Sequence, residues 1–124
     1  MHSEVMNYLD RTIDTIKSLL GPQLTACKND ASQPCSVSGY AESIPRGLAR
    51  FKALHRARIA IKREPGDRQI ERCRREAAHY SEGGLWWSAI KGDDRASKLR
   101  REGCAAAGED LAAIVALSEQ DPAA

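Results

Sequence analysis

Arg68, Arg72, Arg75 and His79 follow one another at steps of four, three and four residues. On a helix those steps return to one face, so four cationic or potentially cationic groups would line up on one side. A row of guanidinium forks suits phosphate or carboxylate recognition, because each Arg presents planar paired donors. Arg50, Lys52 and Arg56 lie on a preceding segment and would extend the same basic surface. That surface could meet an acidic face of a protein or nucleoprotein complex, or the backbone of a nucleic acid directly. The plainer alternative is a solvated helix face, which is what most charge runs are. Helix-turn-helix, zinc-finger and RNA-binding signatures are not visible.

Trp86-Trp87 is the second candidate. Adjacent helical positions point about 100° apart, so the expectation is one ring packed inside and one partly exposed as a binding anchor. Arg58 falls inside an apolar arc beside Phe51 and Leu54. It would either pair with an acid such as Asp10, Asp14 or Asp110, or run its stem outward to the edge. His55 lies on the same arc and reads as a core or boundary histidine.

Enzymatic patterns are thin. The chain has no Gly-rich phosphate loop, no G-x-S-x-G and no H-E-x-x-H. Asp93-Asp94 and Glu109-Asp110 are sequence neighbours, so their carboxylates diverge on a helix. The four cysteines, Cys27, Cys35, Cys73 and Cys104, form no C-x-x-C pair, and zinc sites normally show tighter spacing. Cys27 and Cys35 could close a loop disulfide in an oxidising compartment. The expectation is a non-enzyme with no catalytic residues, no metal and no cofactor.

These residues need elements to hold them, and the periodicity predicts helices throughout. Val5, Met6, Leu9, Ile13, Ile16, Leu19 and Leu20 recur at helical steps over 3–20, with Ser3 as cap and Gly21-Pro22 as stop. Residues 21–42 carry Pro, Gly, Ser and Asn without a period and read as a long irregular connection, unless a short turn hides near 24–28. A second helix spans 44–63, capped by Ser43, with Pro45 in its first turn. Ile44, Leu48, Phe51, Leu54 and Ile59 form its inward arc. Glu64-Pro65-Gly66 ends it, and Asp67 caps a third helix over 67–82 with Ile70, Cys73, Ala77 and Tyr80 inward. Gly83-Gly84 stops that helix, and residues 85–91 form a short one. A last helix runs over 95–119 on Ala96, Leu99, Gly103, Ala107, Leu111, Ile114 and Leu117, unless it breaks near Gly103. Each of Gly103 and Gly108 costs about 1 kcal/mol there, tolerable if another helix comes close. Residues 120–124 read as a frayed tail.

The fold expected is all-α, one domain over 1–124, a small bundle of four to five helices. At 124 residues it can bury a core without staples. Only six residues are aromatic, so the core must be mostly Leu, Ile and Ala. The net charge of +2 is unevenly spread. Residues 46–75 hold eleven bases against three acids, +8. Residues 1–45 hold three against five, −2, and residues 76–124 hold five against nine, −4. The basic middle either folds against its own acidic flanks or faces an external anion. No segment approaches the roughly 18 apolar residues of a membrane span. Asp10 and Asp14 stand where the apolar stretch of a signal peptide would be, so the expected setting is the cytoplasm, with reduced thiols. The general character suits a small regulator or inhibitor of bacterial or mobile-element type that docks on a protein or nucleoprotein complex. A direct nucleic-acid binder, or a cysteine-based metal protein or enzyme, are the alternatives. The apolar stripe of the first helix and the small residues of the last could each serve a homodimer.

Overall fold

The computed structural model describes residues 4–27 and 39–120. Helix α1 spans Val5–Ala26, α2 Tyr40–Lys62, α3 Gln69–Tyr80, α4 Leu85–Ala89 and α5 Arg95–Gln120, with a single 3-10 turn at Gly66–Arg68 before α3. The described residues are thus four main helices and one short one, without strands. Ser3, Cys35 and the tail from 121 lie outside the described residues.

Helix α1 corrects the first expectation, because it runs through Gly21-Pro22 instead of stopping there. Pro22 removes one backbone donor and frees the Ser18 carbonyl, but Ser18 is exposed and water can take up that acceptor. A side chain before proline would clash in the helical conformation, and Gly21 has none. Gln23, on the added turn, accepts a bond from the Ser43 hydroxyl at 2.8 Å. Ser43 is therefore a tether to α1 and not the cap of α2, which starts at Tyr40 after Gly39. Only 28–38 of the expected 21–42 connection stays undescribed; its two ends are helical.

The chain runs up, down, up and down. Gly47 sits against Leu20, and Arg58 pairs with Asp10, so α1 and α2 are antiparallel. Arg46 meets Glu102 and Arg50 meets Asp110, so α2 and α5 run parallel. Cys104 Sγ donates to the Tyr80 carbonyl and Cys73 Sγ to that of Leu111, so α3 and α5 are antiparallel. The most extensive pairing is the central one of α2 on α5. Gly103 makes it possible: a Cβ there would lie 2.2 Å from the Arg46 carbonyl oxygen and 2.8 Å from the Ala49 Cβ. The small-residue stretch of α5 thus serves close approach, as expected, and the helix does not break.

The core is Leu9, Leu54, Ile61, Leu111 and Val5, with Cys73, Ala57 and Ala107, all fully enclosed. Its phase on α2 differs from the expected arc. Ala53, Leu54, Ala57 and Ile61 are buried, whereas Ile59 and His55 are exposed. The His55 ring stacks on Phe51 at 6.2 Å. Alanines at 53 and 57 let α2 lie close to its neighbours, which rotates the bulkier Ile59 outward. On α5, Leu99, Gly103, Ala107, Leu111 and Ile114 are buried as expected, while Ala96 and Leu117, at its two ends, are exposed. On α3, Cys73, Ala77 and Tyr80 face inward as expected and Ile70 is half-buried. The 3-10 turn puts Arg68 just before the regular helix, and Asp67 makes no side-chain capping bond.

Gly83 at φ +82° turns the chain out of α3, a conformation other residues resist. Trp87 of α4 packs on the core, and Arg101 of α5 lies over its ring at 5.8 Å while donating to the Ile90 carbonyl at 2.9 Å. That clamp fixes α4 across the end of the bundle.

Candidate anion-binding cleft

Helices α2 and α3 both pack on α5, and each touches α5 far more than it touches the other. The space between them is a cleft of about 560 Å³. Its floor is made of small side chains, Ala49, Ala53 and Ala60 of α2 and Cys104 of α5. Trp86, Ala89 and Ile90 close one end. Lys52 and Arg56 line it from α2, Arg72 from α3 and Arg100 from α5, with Glu76 and Tyr80 on the α3 side. Four cations, one carboxylate and one exposed indole therefore share an apolar-floored groove.

The charges divide by their partners. Arg72 donates to Glu76 at 3.0 Å and lies 3.6 Å from Glu64, so it closes the α2–α3 hairpin. Arg100 donates to the Ser97 hydroxyl at 3.2 Å. Lys52 and Arg56 have no acidic partner among the described residues. Elsewhere the basic middle does fold against the acidic flanks: Arg46 bonds Glu102, Arg58 bonds Asp10, and Arg74 bonds Glu119. Arg58 thus takes the first of the acids named for it while remaining half-exposed.

The sequence-predicted residues separate accordingly. Lys52, Arg56, Arg72 and Trp86 come together on the cleft. Arg50 does not, because both arms of its fork are held by Asp110 at 2.6 and 2.7 Å. That bond is also the main cause that raises the Arg50 pKa. Arg68, in the 3-10 turn before α3, and Arg75, on α3, are exposed, with no acidic partner among the described residues. His79 stands between the two groups, its ring edge-on to Trp86 at 6.3 Å. The tryptophans divide as expected: Trp86 is 47% exposed, and Trp87 is packed under Arg101. Trp87 also lines a smaller hollow of about 270 Å³ with Glu82, Lys98, Arg101, Glu102 and Ala105.

Sequence reasoning missed Arg100, Glu76 and Tyr80. The run Lys98-Leu99-Arg100-Arg101 is a second basic cluster, but it sits on a helix read only for its apolar stripe. Glu76 follows Arg72 by one helical turn, a pairing signal in itself, yet nothing local announces that it is buried. Glu76 is only 4% exposed.

Burial pushes the Cys73 thiol up to about 12, helped by the nearby Glu76 carboxylate. Burial also raises Cys104, and reactive cysteines are displaced the other way. Tyr80 is likewise raised to about 12, by burial first and Glu76 second. Cys27 is disulfide-bonded; Cys35, the other half of the pairing considered, lies outside the described residues. Among the described residues no three His, Cys, Asp or Glu side chains gather as metal ligands, and no helix is long and apolar enough to cross a membrane. No family model, curated protein or solved structure matches the chain.

Proposed function

We propose that this chain is a non-enzymatic binding protein that takes a short acidic segment of a partner protein into the cleft between α2 and α3. The observation that carries the reading is the convergence of Lys52, Arg56 and Arg100, none of them in a close ion pair among the described residues, over an alanine floor beside an exposed Trp86. Carboxylates would meet the rim cations in a partly desolvated setting, where charge-assisted hydrogen bonds gain strength. Trp86 supplies the aromatic contact typical of binding hot spots.

The cleft follows α2 over the roughly 16 Å between Ala49 and Ala60, long enough to receive a short row of acidic side chains. The setting this reading assumes is the cytoplasm, and the Cys27 disulfide is the observation that pulls against it, since such bonds persist in oxidising compartments.

The test is fluorescence anisotropy with two labelled probes, a ten-residue glutamate-rich peptide and a DNA duplex of twenty base pairs, each from low to physiological salt. The peptide should bind, with a change in Trp86 emission that Trp86→Phe removes. If the duplex binds with a steep salt dependence and the peptide does not, the function is nucleic-acid binding and the protein-docking reading fails.

A further inference from the structure

Helix α4 is held firmly for an element that encloses so little. Gly84 is wedged behind it so tightly that a Cβ there would lie 2.1 Å from the Ala78 carbonyl oxygen. Arg101 clamps its far end, lying over the Trp87 ring and donating to the Ile90 carbonyl. Yet none of its five residues is buried. Leu85 is 59% exposed and Trp86 is 47% exposed.

These two side chains share a ledge. Ala89, itself exposed, follows Leu85 by four positions and Trp86 by three, so it touches the strip of both. The His79 ring, edge-on to Trp86 at 6.3 Å, braces the indole from α3. Single exposed apolar side chains are ordinary on a protein surface. Here two large ones stand side by side on a fixed support, which lowers the ordering cost of any contact made on them. The ledge also runs into the cleft, because Trp86 and Ala89 line it together with Lys52, Arg56 and Arg100. Leu19, Ile59 and Leu117 are comparably exposed, but none of them lines the cleft.

We infer, resting on the reading proposed above, that the partner's acidic segment also carries a large apolar side chain, which seats on the ledge of Leu85, Trp86 and Ala89. Its carboxylates meet the cleft cations at the same time. The two contacts answer to different forces. Salt screens the carboxylate contacts, whereas the apolar contact comes from surface withdrawn from water and carries no charge. The cations attract acidic chains in general, and the ledge chooses among them.

The test uses three synthetic peptides of eleven residues built on one run of glutamates. One has Leu just before the run, one has Leu just after it, and one has Ala at both places, so all three carry the same charge. Binding to the full chain is followed by amide chemical-shift titration at low and at physiological salt. At least one leucine peptide should bind about five-fold tighter than the alanine peptide, the gain expected from partly covering the larger side chain. That ratio should hold at both salts while every affinity falls with salt. The leucine methyls should show nuclear Overhauser contacts with the Trp86 indole, and Leu85→Ser, a change at an exposed position, should bring the ratio below two-fold. Equal binding of the three peptides, a ratio that survives Leu85→Ser, or methyl contacts on Leu19, Ile59 or Leu117 instead overturns the inference and leaves the acidic-segment reading standing. So does a chain that sediments alone as a dimer and is dissociated by Leu85→Ser, since a second copy then covers the ledge. If no peptide binds the wild-type chain, the cleft reading itself fails.

Discussion

Replacing Gly103 by Ala tests the crossing on which the whole arrangement depends. Taken alone, α5 should gain about 1 kcal/mol, the preference of a helix interior for Ala over Gly. The added methyl would, however, lie 2.2 Å from the Arg46 carbonyl oxygen and 2.8 Å from the Ala49 Cβ. Neither atom belongs to a flexible side chain, so α2 must back away by about 1 Å to reach ordinary contact near 3.5 Å. Overpacking of this kind costs about 1–3 kcal/mol. The retreat also loosens the Arg46–Glu102 and Arg50–Asp110 pairs, which span the same crossing. We expect a net loss of about 2 kcal/mol by urea denaturation with the slope unchanged. Ala112→Gly, at an exposed position of the same helix, gives the scale of the helix preference alone and should lose about 1 kcal/mol. If Gly103→Ala raises stability by the amount that Ala112→Gly lowers it, α2 does not approach α5 as described.

Other consequences follow from the same structure. Cys73 and Tyr80 are neutral when protonated, and their folded pKa values near 12 lie above the ordinary 9.0 and 10.0. The unfolded chain therefore loses these protons first. The stability they contribute is complete below pH 9 and is lost as pH rises toward 12; a fall of about 2 kcal/mol between pH 7 and pH 10 should appear in urea titrations. Asp110→Ala strands the Arg50 guanidinium, which is two-thirds enclosed, and should cost about 1–2 kcal/mol, less than a fully buried pair. Ser118 is buried with its hydroxyl unbonded; Ser118→Ala should raise stability by about 1 kcal/mol, seen as a melting point a few degrees higher.

Much of the fold was legible because α3 and α5 each present one periodic apolar strip. The strip on α5 even anticipated the close approach at Gly103. Helix α1 was cut short because Gly-Pro stops a helix in isolation. Here the missing Cβ of Gly21 and the exposure of Ser18 remove both costs, which depend on tertiary surroundings. The phase of α2 was misjudged because large residues were weighted over Ala53 and Ala57, whose value lies in how near other helices can come. The site was half legible. Charge spacing found Lys52, Arg56 and Arg72, but it could not tell which cations are spent: Arg50 faces Asp110 sixty positions away, a pairing no local pattern encodes. Arg100 and Glu76 join the cleft only because α3 leans on α5 and stands off α2.

The account turns on which cations are available to a ligand. The most direct measurement compares acidic-peptide affinity in two double variants, Lys52→Glu with Arg56→Glu inside the cleft, and Arg68→Glu with Arg75→Glu outside it, on the 3-10 turn and α3. The cleft pair should lower affinity at least ten-fold, and the outer pair should leave it within about two-fold after correction for net charge by a salt series. Loss of binding in the outer pair, with the cleft pair unaffected, would place the anion on the exposed stripe and contradict the cleft.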